Sequence, residues 1–376
     1  MPHPLLAHFC DLPDPRVART QRHCLLDILV IALCALICGA DDFVGIMRFG
    51  QAKETWFQER LGLSLPSGVP SHDTFGRVFA RLDPEAFGRC FCAWTQEMHT
   101  QTKGQVIALD GKRLRHSFDK ASGRGAIYMV SAWASQSRLV LGQVKVDQKS
   151  NEITALPRLL EMLDLSGSIV TTDAMGCQKK IAAQVQEQGG DYVLALKENH
   201  PRLHAEVQRL FTWGEAEGKA DLACDYFESH DYNHGRQEVR RCFVTDQVHW
   251  LDETDEPKEW RGLRCLAKVE SRRTLEGQTT TECRYFLSSL PANAKQTLGA
   301  VREHWGIENS LHWVLDMAFG EDGSRIRKDH APQNLATLRH LALNLLRQEK
   351  MDKTGVKNRR LRAGWDSDYL LKVILS

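Results

Sequence analysis

The architecture of this chain follows from two apolar stretches that each reach an aspartate, Val106-Ile-Ala-Leu-Asp110-Gly-Lys112 and Ser168-Ile-Val-Thr-Thr-Asp173. An apolar run of about four or five residues next to turn-forming residues is typical of a buried strand. Sheets of α/β proteins place their catalytic groups in the loops at strand ends. The sequence therefore predicts two strands that carry candidate catalytic acids, Asp110 and Asp173.

The segments around these strands predict a mixed α/β sheet. Residues 128–134 and 138–146 are predicted to be two strands joined by a hairpin turn. Residues 151–163 and 178–188 are predicted helices, and residues 192–196 are a predicted fifth strand. A sheet with strand order 3-2-1-4-5 would make the strands of Asp110 and Asp173 neighbours. Two adjacent carboxylates repel each other unless a cation neutralises them, and Mg²⁺ is a hard cation that favours carboxylate oxygens.

A third acid, Glu308, completes the candidate site. It lies in the stretch His304-Trp-Gly-Ile-Glu-Asn309, on a predicted helix. A single acid is most often a solvated or capping residue, so this assignment depends on the three acids together with Lys197 and Arg325. The nearby Trp305 and Trp313 could stack on an unpaired base, but core packing is the commoner role of such residues.

The pattern of the 376 residues divides the chain into five segments. These are an N-terminal helical domain (1–102), the first part of a catalytic core (103–199), a β-rich insertion (200–290), core helices with the third acid (291–347) and a basic tail (348–376). Two interpretations of the N-terminal helices stay open, a helix-turn-helix that reads DNA and a helical cap on the next domain.

Composition excludes several classes of protein. A net charge of +1 excludes a uniformly basic nucleic-acid-binding protein but allows a local basic surface. The most apolar stretch, 28–40, is shorter than the roughly 20 residues that cross a bilayer, and this favours a buried helix. The N-terminus lacks the pattern of a signal peptide. Two close pairs among the 11 cysteines, Cys34 with Cys38 and Cys90 with Cys92, lack a second ligand pair at zinc-finger spacing and predict buried free thiols, and this cysteine usage fits a reducing cytoplasm.

Taken together, these motifs resemble the insertion-sequence transposases of the DDE superfamily, and within them the H-repeat-associated group. The likeness covers nearly the whole chain. It includes the stretches 68–75, 110–112, 172–178, 197–199, 234–236, 304–309 and 321–327. The order of the three acids along the chain is the specific part of this likeness, because Asp-Gly-Lys alone is a weak signal.

The resemblance implies a ribonuclease-H-like fold with a β-rich insertion before the last acid. It also implies that Asp110, Asp173 and Glu308 hold two Mg²⁺ ions, with Mn²⁺ as an alternative, and that the protein cleaves and joins DNA without a covalent intermediate. The implied partners are double-stranded DNA, as terminal inverted repeats and target, and a second copy of the chain on paired ends. A bacterial cytoplasmic protein at the nucleoid, with no membrane, would fit these roles.

One departure from the family concerns the residues around the last acid. Related transposases have Tyr, Arg and Lys at seven before, four before and seven after it, where this chain has Val301, His304 and Leu315. We expect His304 to keep a phosphate contact and another cation to replace the missing ones; the candidates are Lys197, Arg302, Arg325 and Arg327. Further phosphate contacts are predicted after the first acid and in the basic tail, at Lys112, Arg113, Arg359 and Arg360.

Two other functions stay open at this point. One is an inactive or domesticated transposase-like protein that binds DNA, which the missing Tyr and Lys favour and the intact acids oppose. The other is a metal-dependent, ribonuclease-H-like DNA nuclease that cuts without joining.

Overall fold

The computed structural model describes residues 7–99, 104–119, 123, 125–146, 152–216, 222–233, 235–251 and 259–376. The predicted boundary at residues 102–103, Asn151 at the start of the predicted helix 151–163, and His234 of the stretch 234–236 lie outside the described residues.

A continuous nine-stranded sheet crosses the described part of the chain. Its strands are β1 Val106–Arg113, β2 Tyr128–Ala134, β3 Leu139–Val146, β4 Ile169–Thr172, β5 Asp191–Leu196, β6 Asp225–Asn233, β7 Arg236–Thr245, β8 Cys265–Leu275 and β9 Gln278–Ser288. The strand order is β3-β2-β1-β4-β5-β9-β8-β7-β6. β1 pairs antiparallel with β2 and parallel with β4, and β4 pairs parallel with β5. The predicted ribonuclease-H-like order 3-2-1-4-5 is therefore confirmed.

The β-rich insertion continues the core sheet instead of forming a second one. β9 pairs antiparallel with β5, with Val193 opposite Ser288 and Leu196 opposite Tyr285. β6, β7 and β8 then follow outward as antiparallel neighbours. The last strand of the insertion is thus brought directly beside the core strand that precedes Lys197.

Helices cover both faces of the sheet. They are α1 Leu25–Ile37, α2 Phe43–Ala52, α3 Glu54–Leu61, α4 His72–Arg81, α5 Pro84–Met98, α6 Glu152–Glu161, α7 Lys179–Glu187, α8 Pro201–Ala216, α9 Ala294–His304, α10 Trp313–Phe319, α11 Ala331–Gln348, α12 Val356–Trp365 and α13 Ser367–Leu375. A π-helical segment, Ile307–His312, joins α9 to α10. α4 begins after Ser71, whose Oγ accepts a hydrogen bond from the Thr74 amide at 3.3 Å and so caps the helix.

The N-terminal and C-terminal helices share one hydrophobic core. α1 is buried along almost its whole length, and its side chains belong to the same cluster as Leu335 and Leu343 of α11 and Trp133 of β2. The predicted basic tail belongs to this core as well: Tyr369 and Leu370 of α13 are buried in it. Since their apolar residues need a partner surface, the last residues fold as helices. No helix in the described ranges is long and apolar enough to cross a membrane.

The eleven cysteines are free thiols, as predicted, but only some of them are buried. Five are buried, three are intermediate and Cys10, Cys24 and Cys283 are exposed. Of the four cysteines predicted to be buried, Cys34 and Cys92 are buried, whereas Cys38 and Cys90 are only partly buried.

Alternation along β1 determines which face of the sheet receives the first acid. Ile107 and Leu109 belong to the core on one face, whereas Ala108 packs with Trp133 and Ile307 on the other. Successive side chains of a strand point to opposite faces, so Asp110 lies on the face of Ala108. That is the face that the segment carrying Glu308 covers.

Candidate active site

The three sequence-predicted acids line one cleft near the carboxyl ends of the inner strands β1 and β4. Leu109 of β1 lies opposite Thr172 of β4, so that Asp110 and Asp173 follow at matching positions of neighbouring parallel strands. Glu308 reaches the same cleft from the π-helical segment. Three elements that are far apart in the sequence therefore bring their carboxylates to one cavity.

A tight turn holds the Asp173 carboxylate. Its Oδ1 accepts hydrogen bonds from the amides of Met175 at 3.0 Å and Gly176 at 3.2 Å. Asn199 supports the turn from the next loop, where its Nδ2 donates to the carbonyl of Ala174 at 2.6 Å. The other carboxylate oxygen of Asp173 has no hydrogen-bond partner among the described residues and can bind a ligand.

Glycine is required at position 176 because the turn lies against the preceding strand. A Cβ at Gly176 would be 2.6 Å from the Cβ of Thr172, closer than real Cβ atoms approach one another. We expect Gly176→Ala to push the turn away from β4 and to lower the free energy of unfolding by about 1–3 kcal/mol. Urea denaturation measures this change.

Gly88 provides the matched control. It lies inside α5, and a Cβ there would meet nothing within 4 Å. Gly88→Ala should therefore stabilise the protein by about 0.5–1 kcal/mol through helix propensity. If both alanine variants were equally stable, the close approach of the turn to Thr172 would not constrain position 176.

Asp110 is held from its own strand and from the covering segment. Its Oδ1 accepts from the Gly111 amide at 2.8 Å, and its Oδ2 lies 3.5 Å from Nδ1 of His312. Burial, together with the nearby charge of Lys112, lowers the pKa of His312 to about 3. His312 is therefore a neutral group beside Asp110 at physiological pH.

Glu308 is the exposed member of the three acids. It lies in the π-helical segment Ile307–His312, a conformation that is rare and often found at functional sites. The preceding Gly306 allows this segment to approach β2, since a Cβ there would be 3.3 Å from Nε1 of Trp133. The sequence predicts an ordinary helix here, whereas the structure has a π-turn. The pattern of single residues does not distinguish the two.

The donor chemistry of the cleft fits a hard divalent cation. Three carboxylates supply the oxygen ligands that Mg²⁺ and Mn²⁺ favour. Within the described residues, however, no three His, Cys, Asp or Glu side chains are close enough together to hold a metal ion. The acids thus share a cavity without forming a closed set of ligands.

His304 lines the same cleft but carries no charge at neutral pH. Its Nδ1 and Oγ1 of Thr171 share a hydrogen bond of 2.9 Å. Burial lowers the pKa of His304 to about 4, and the positive charge of Arg284 adds to this effect. The predicted phosphate contact of His304 could therefore be only a neutral hydrogen bond.

Lys112 does not fit the predicted contact with DNA. Its side chain is 12% exposed, and its ammonium forms ion pairs with Asp316 and with Glu321, the latter at 3.0 Å. Burial disfavours the charged form, but the two carboxylates outweigh burial and raise the pKa of Lys112. The lysine therefore neutralises buried acids next to the site, whereas its neighbour Arg113 is exposed and stays a predicted DNA contact.

Arg359 and Arg360 also have structural partners. Arg359 donates to the main-chain carbonyls of Leu346 at 2.6 Å and Glu349 at 2.9 Å. Arg360 is buried and binds the Leu36 carbonyl and the Asp41 carboxylate, both at 2.8 Å. These two arginines join the C-terminal helices to the rest of the core, so their guanidinium groups already bind partners within the protein where DNA contacts are predicted.

The other predicted cations divide between two surfaces. Lys197 is exposed and lines the cleft of the three acids. Arg325 and Arg327 line a different groove, which runs along α4. Arg302 pairs with Asp231 at 2.9 Å. Of the four candidates for the missing cation, only Lys197 lies in the cleft.

Sequence reasoning missed one cation of the cleft, Arg284 of β9. Its guanidinium lies over the ring of Trp305, with Cζ 4.6 Å from the ring centroid. No motif marks this arginine, and only the pairing of β5 with β9 brings it to the site. Trp313 is 60% exposed, so the interpretation of that residue as core packing is wrong.

Comparison with known proteins places the chain among transposases. The family model described as the transposase DDE domain matches residues 101–345, and the model described as DDE_Tnp_1-associated matches residues 6–95. YhhI of Escherichia coli K12, named as a candidate H repeat-associated transposase, is 39% identical over 98% of this chain and 97% of its own length.

Two further relatives differ in what their names say. An uncharacterised protein encoded in the dhlA 3′ region of Xanthobacter autotrophicus is 46% identical over 75% of this chain and 93% of its own length. YbfQ of Escherichia coli K12, named an inactive transposase, is 36% identical over 20% of this chain and 89% of its own length. Among solved structures, the piggyBac transposase synaptic complex with hairpin DNA matches with a TM-score of 0.43 and 11% identity, over 98% of this chain and 81% of that chain.

Proposed function

The chain belongs to the family of transposase DDE domains, and on that premise we propose that it cleaves DNA at insertion-sequence ends and joins those ends to target DNA. The observation that supports this most is the convergence of Asp110, Asp173 and Glu308 on one cleft. Each acid comes from a separate element, and a purely structural role would not require the three to meet at one sheet edge. We propose these three residues as the catalytic acids.

The same three carboxylates would hold two divalent ions, Mg²⁺ or Mn²⁺. When bound, these ions would activate the attacking hydroxyl and stabilise the leaving oxygen of the phosphodiester. The chain itself orients the ligands: two backbone amides fix Asp173, and the Gly111 amide fixes Asp110. Glu308, on the exposed π-turn, would supply the third carboxylate ligand.

DNA contacts in this proposal come from the rim of the cleft. Lys197 at the end of β5 faces the acids and would bind a backbone phosphate, and Arg113 would bind the flanking duplex. Arg325 and Arg327 in the groove along α4 would hold DNA further from the reacting bond. Near-neutral net charge is consistent with such local contacts.

By family relation we also expect a homodimer that holds paired inverted-repeat ends and a target duplex. Such a protein would act on chromosomal DNA in the bacterial cytoplasm, at the nucleoid. Light scattering of the purified chain with and without a terminal-repeat duplex measures the stoichiometry. A complex with one chain per pair of ends would contradict the homodimer.

An inactive DNA-binding relative is the second candidate, and one observation favours it. The three positions around Glu308 where related transposases have Tyr, Arg and Lys are Val301, a neutral His304 and Leu315 here. A protein that lost those groups could keep DNA binding and lose cleavage. The acids would then persist without catalytic use.

A strand-transfer assay separates these functions. The substrate is a duplex that ends in the inverted repeat flanking this gene, labelled at the transferred strand, with a plasmid target and Mg²⁺ or Mn²⁺. We expect cleavage at the repeat end and covalent joining to the plasmid. Cleavage without joined product would indicate a nuclease, and binding without cleavage would indicate an inactive relative.

A further inference from the structure

We propose that Arg284 is the phosphate-binding cation that replaces the missing charged residues around Glu308, with Trp305 and Glu282 as its positioning residues. This inference rests on the proposed function, because the ligand it assigns is a DNA phosphodiester at the acidic cleft.

Arg284 lies in the cleft that the three acids line. Among the described residues that line the cleft, two carry a permanent positive charge, Lys197 and Arg284. Leu196 of β5 pairs with Tyr285 of β9, so Lys197 and Arg284 follow at adjacent positions of the two strands. The two cations thus come from the paired ends of β5 and β9, and not from the helical segment that carries Glu308.

The Arg284 guanidinium is held by two neighbouring side chains, Glu282 and Trp305. Its Nε and Nη2 donate to the two carboxylate oxygens of Glu282 at 2.8 and 3.0 Å, while the guanidinium lies over the Trp305 ring. Arginine has five N–H donors, so three stay without a partner in the part of the chain that the structure describes. A guanidinium held on two sides loses little freedom on binding, and its planar fork matches a phosphate.

Charge complementarity indicates the ligand. The cleft is lined by three carboxylates, which repel an anion unless divalent cations are bound, and by two cations, Lys197 and Arg284. A phosphodiester whose reacting oxygens face the metal-bound acids would place a non-bridging oxygen toward the guanidinium. Such preorganised donors stabilise the charge that develops in phosphoryl transfer.

Trp305 links Arg284 to the third acid. It lies three residues before Glu308, so the ring under the guanidinium and the acid belong to the same turn of chain. One face of the ring is occupied by Arg284, whereas the sequence favours core packing over base stacking for this residue. We therefore assign Trp305 the task of orienting Arg284.

The test compares Arg284→Ala, Arg284→Lys and Trp305→Ala with the matched control Arg241→Ala. Arg241 is an exposed arginine of the same sheet that pairs with Glu228 at 2.6 Å and does not line the cleft. In steady-state cleavage of a terminal-repeat duplex, we expect Arg284→Ala to lower kcat by about 100-fold. Arg284→Lys should recover part of this loss, Trp305→Ala should lower kcat less, and Arg241→Ala should match the wild type.

A binding measurement keeps the inference separate from catalysis. In an Asp173→Asn background, which cannot cleave, the slope of log Kd against log salt should fall by about one on Arg284→Ala and not on Arg241→Ala. An unchanged slope together with wild-type kcat would overturn the role of Arg284. If the wild type fails to cleave any substrate but the slope still changes, the proposed function fails and the phosphate contact stands.

Discussion

Replacement of Asp173 by asparagine is expected to reduce DNA strand cleavage by about a thousandfold or more, while the protein stays folded and binds DNA. Asparagine keeps an oxygen that can accept from the amides of Met175 and Gly176, so the turn is preserved. It removes the negative charge that a divalent cation requires. Asp110→Asn and Glu308→Gln are expected to cause equal losses, because each removes one carboxylate charge from the same cleft.

Glu187→Gln provides the control for this series. Glu187 is an exposed acid that pairs with Arg261 and does not line the cleft. Its variant should cleave at the wild-type rate under the same Mg²⁺ concentration. Circular dichroism and a DNA-binding titration establish that each acid variant is folded. A full cleavage rate in any of the three cleft variants would remove that acid from the proposed mechanism.

The second large effect concerns stability. Glu321→Gln is expected to lower the free energy of unfolding by about 3–5 kcal/mol, the cost of breaking a buried ion pair on one side. The Glu321 side chain is 2% exposed and lies between Lys112 at 3.0 Å and Arg339 at 3.7 Å. Lys112 would keep Asp316 as a partner. Arg339, also 2% exposed, would have no acid within ion-pair distance in the described ranges.

The pH dependence of stability gives this prediction a second readout. Burial alone would raise the pKa of Glu321, but Lys112, Arg339 and His340 lower it below the ordinary value of 4.5. A carboxylate with a depressed folded-state pKa contributes stability above its unfolded pKa and loses it as the pH falls through the folded value. The difference between wild type and Glu321→Gln should therefore be full at pH 7 and shrink below about pH 4.5.

An exposed ion pair offers the comparison. Glu85 pairs with Arg158 at 2.7 Å, and both side chains are more than 40% exposed. Glu85→Gln should cost less than about 1 kcal/mol, because water screens the pair. Urea denaturation at pH 7 measures both variants. Similar small losses for the two would mean that the Glu321 pairs contribute no more than surface pairs do.

The core of the fold could be predicted from local pattern because its determinants are local. Apolar runs of strand length, their turn residues and the helices between them indicated β1 to β5, and the sheet order confirmed this interpretation. The junction of β9 with β5 was not predictable. It depends on pairing between segments about 90 residues apart, which leaves no periodic signal in either strand.

In the candidate site, the three acids and Lys197 could be predicted from the sequence, but Arg284 could not. Asp110 and Asp173 could be predicted because each follows an apolar run, but the predicted end of the first strand at Asp110 is wrong, since β1 stays paired with β2 as far as Arg113. Arg284 was missed because the pairing of β9 with β5 alone brings it to the cleft. Charge alone predicts DNA contacts at Lys112 and Arg360, because a sequence does not show the buried acid and the carbonyl that bind these side chains.

Mn²⁺ binding to the DNA-bound protein, followed by electron paramagnetic resonance, is the most direct test of the claim that Asp110, Asp173 and Glu308 together form the metal centre. With a terminal-repeat duplex present, the wild type should bind Mn²⁺, and Asp110→Asn, Asp173→Asn and Glu308→Gln should each weaken that binding, whereas Glu187→Gln should not. Mn²⁺ binding that is unchanged in all three cleft variants would contradict the claim.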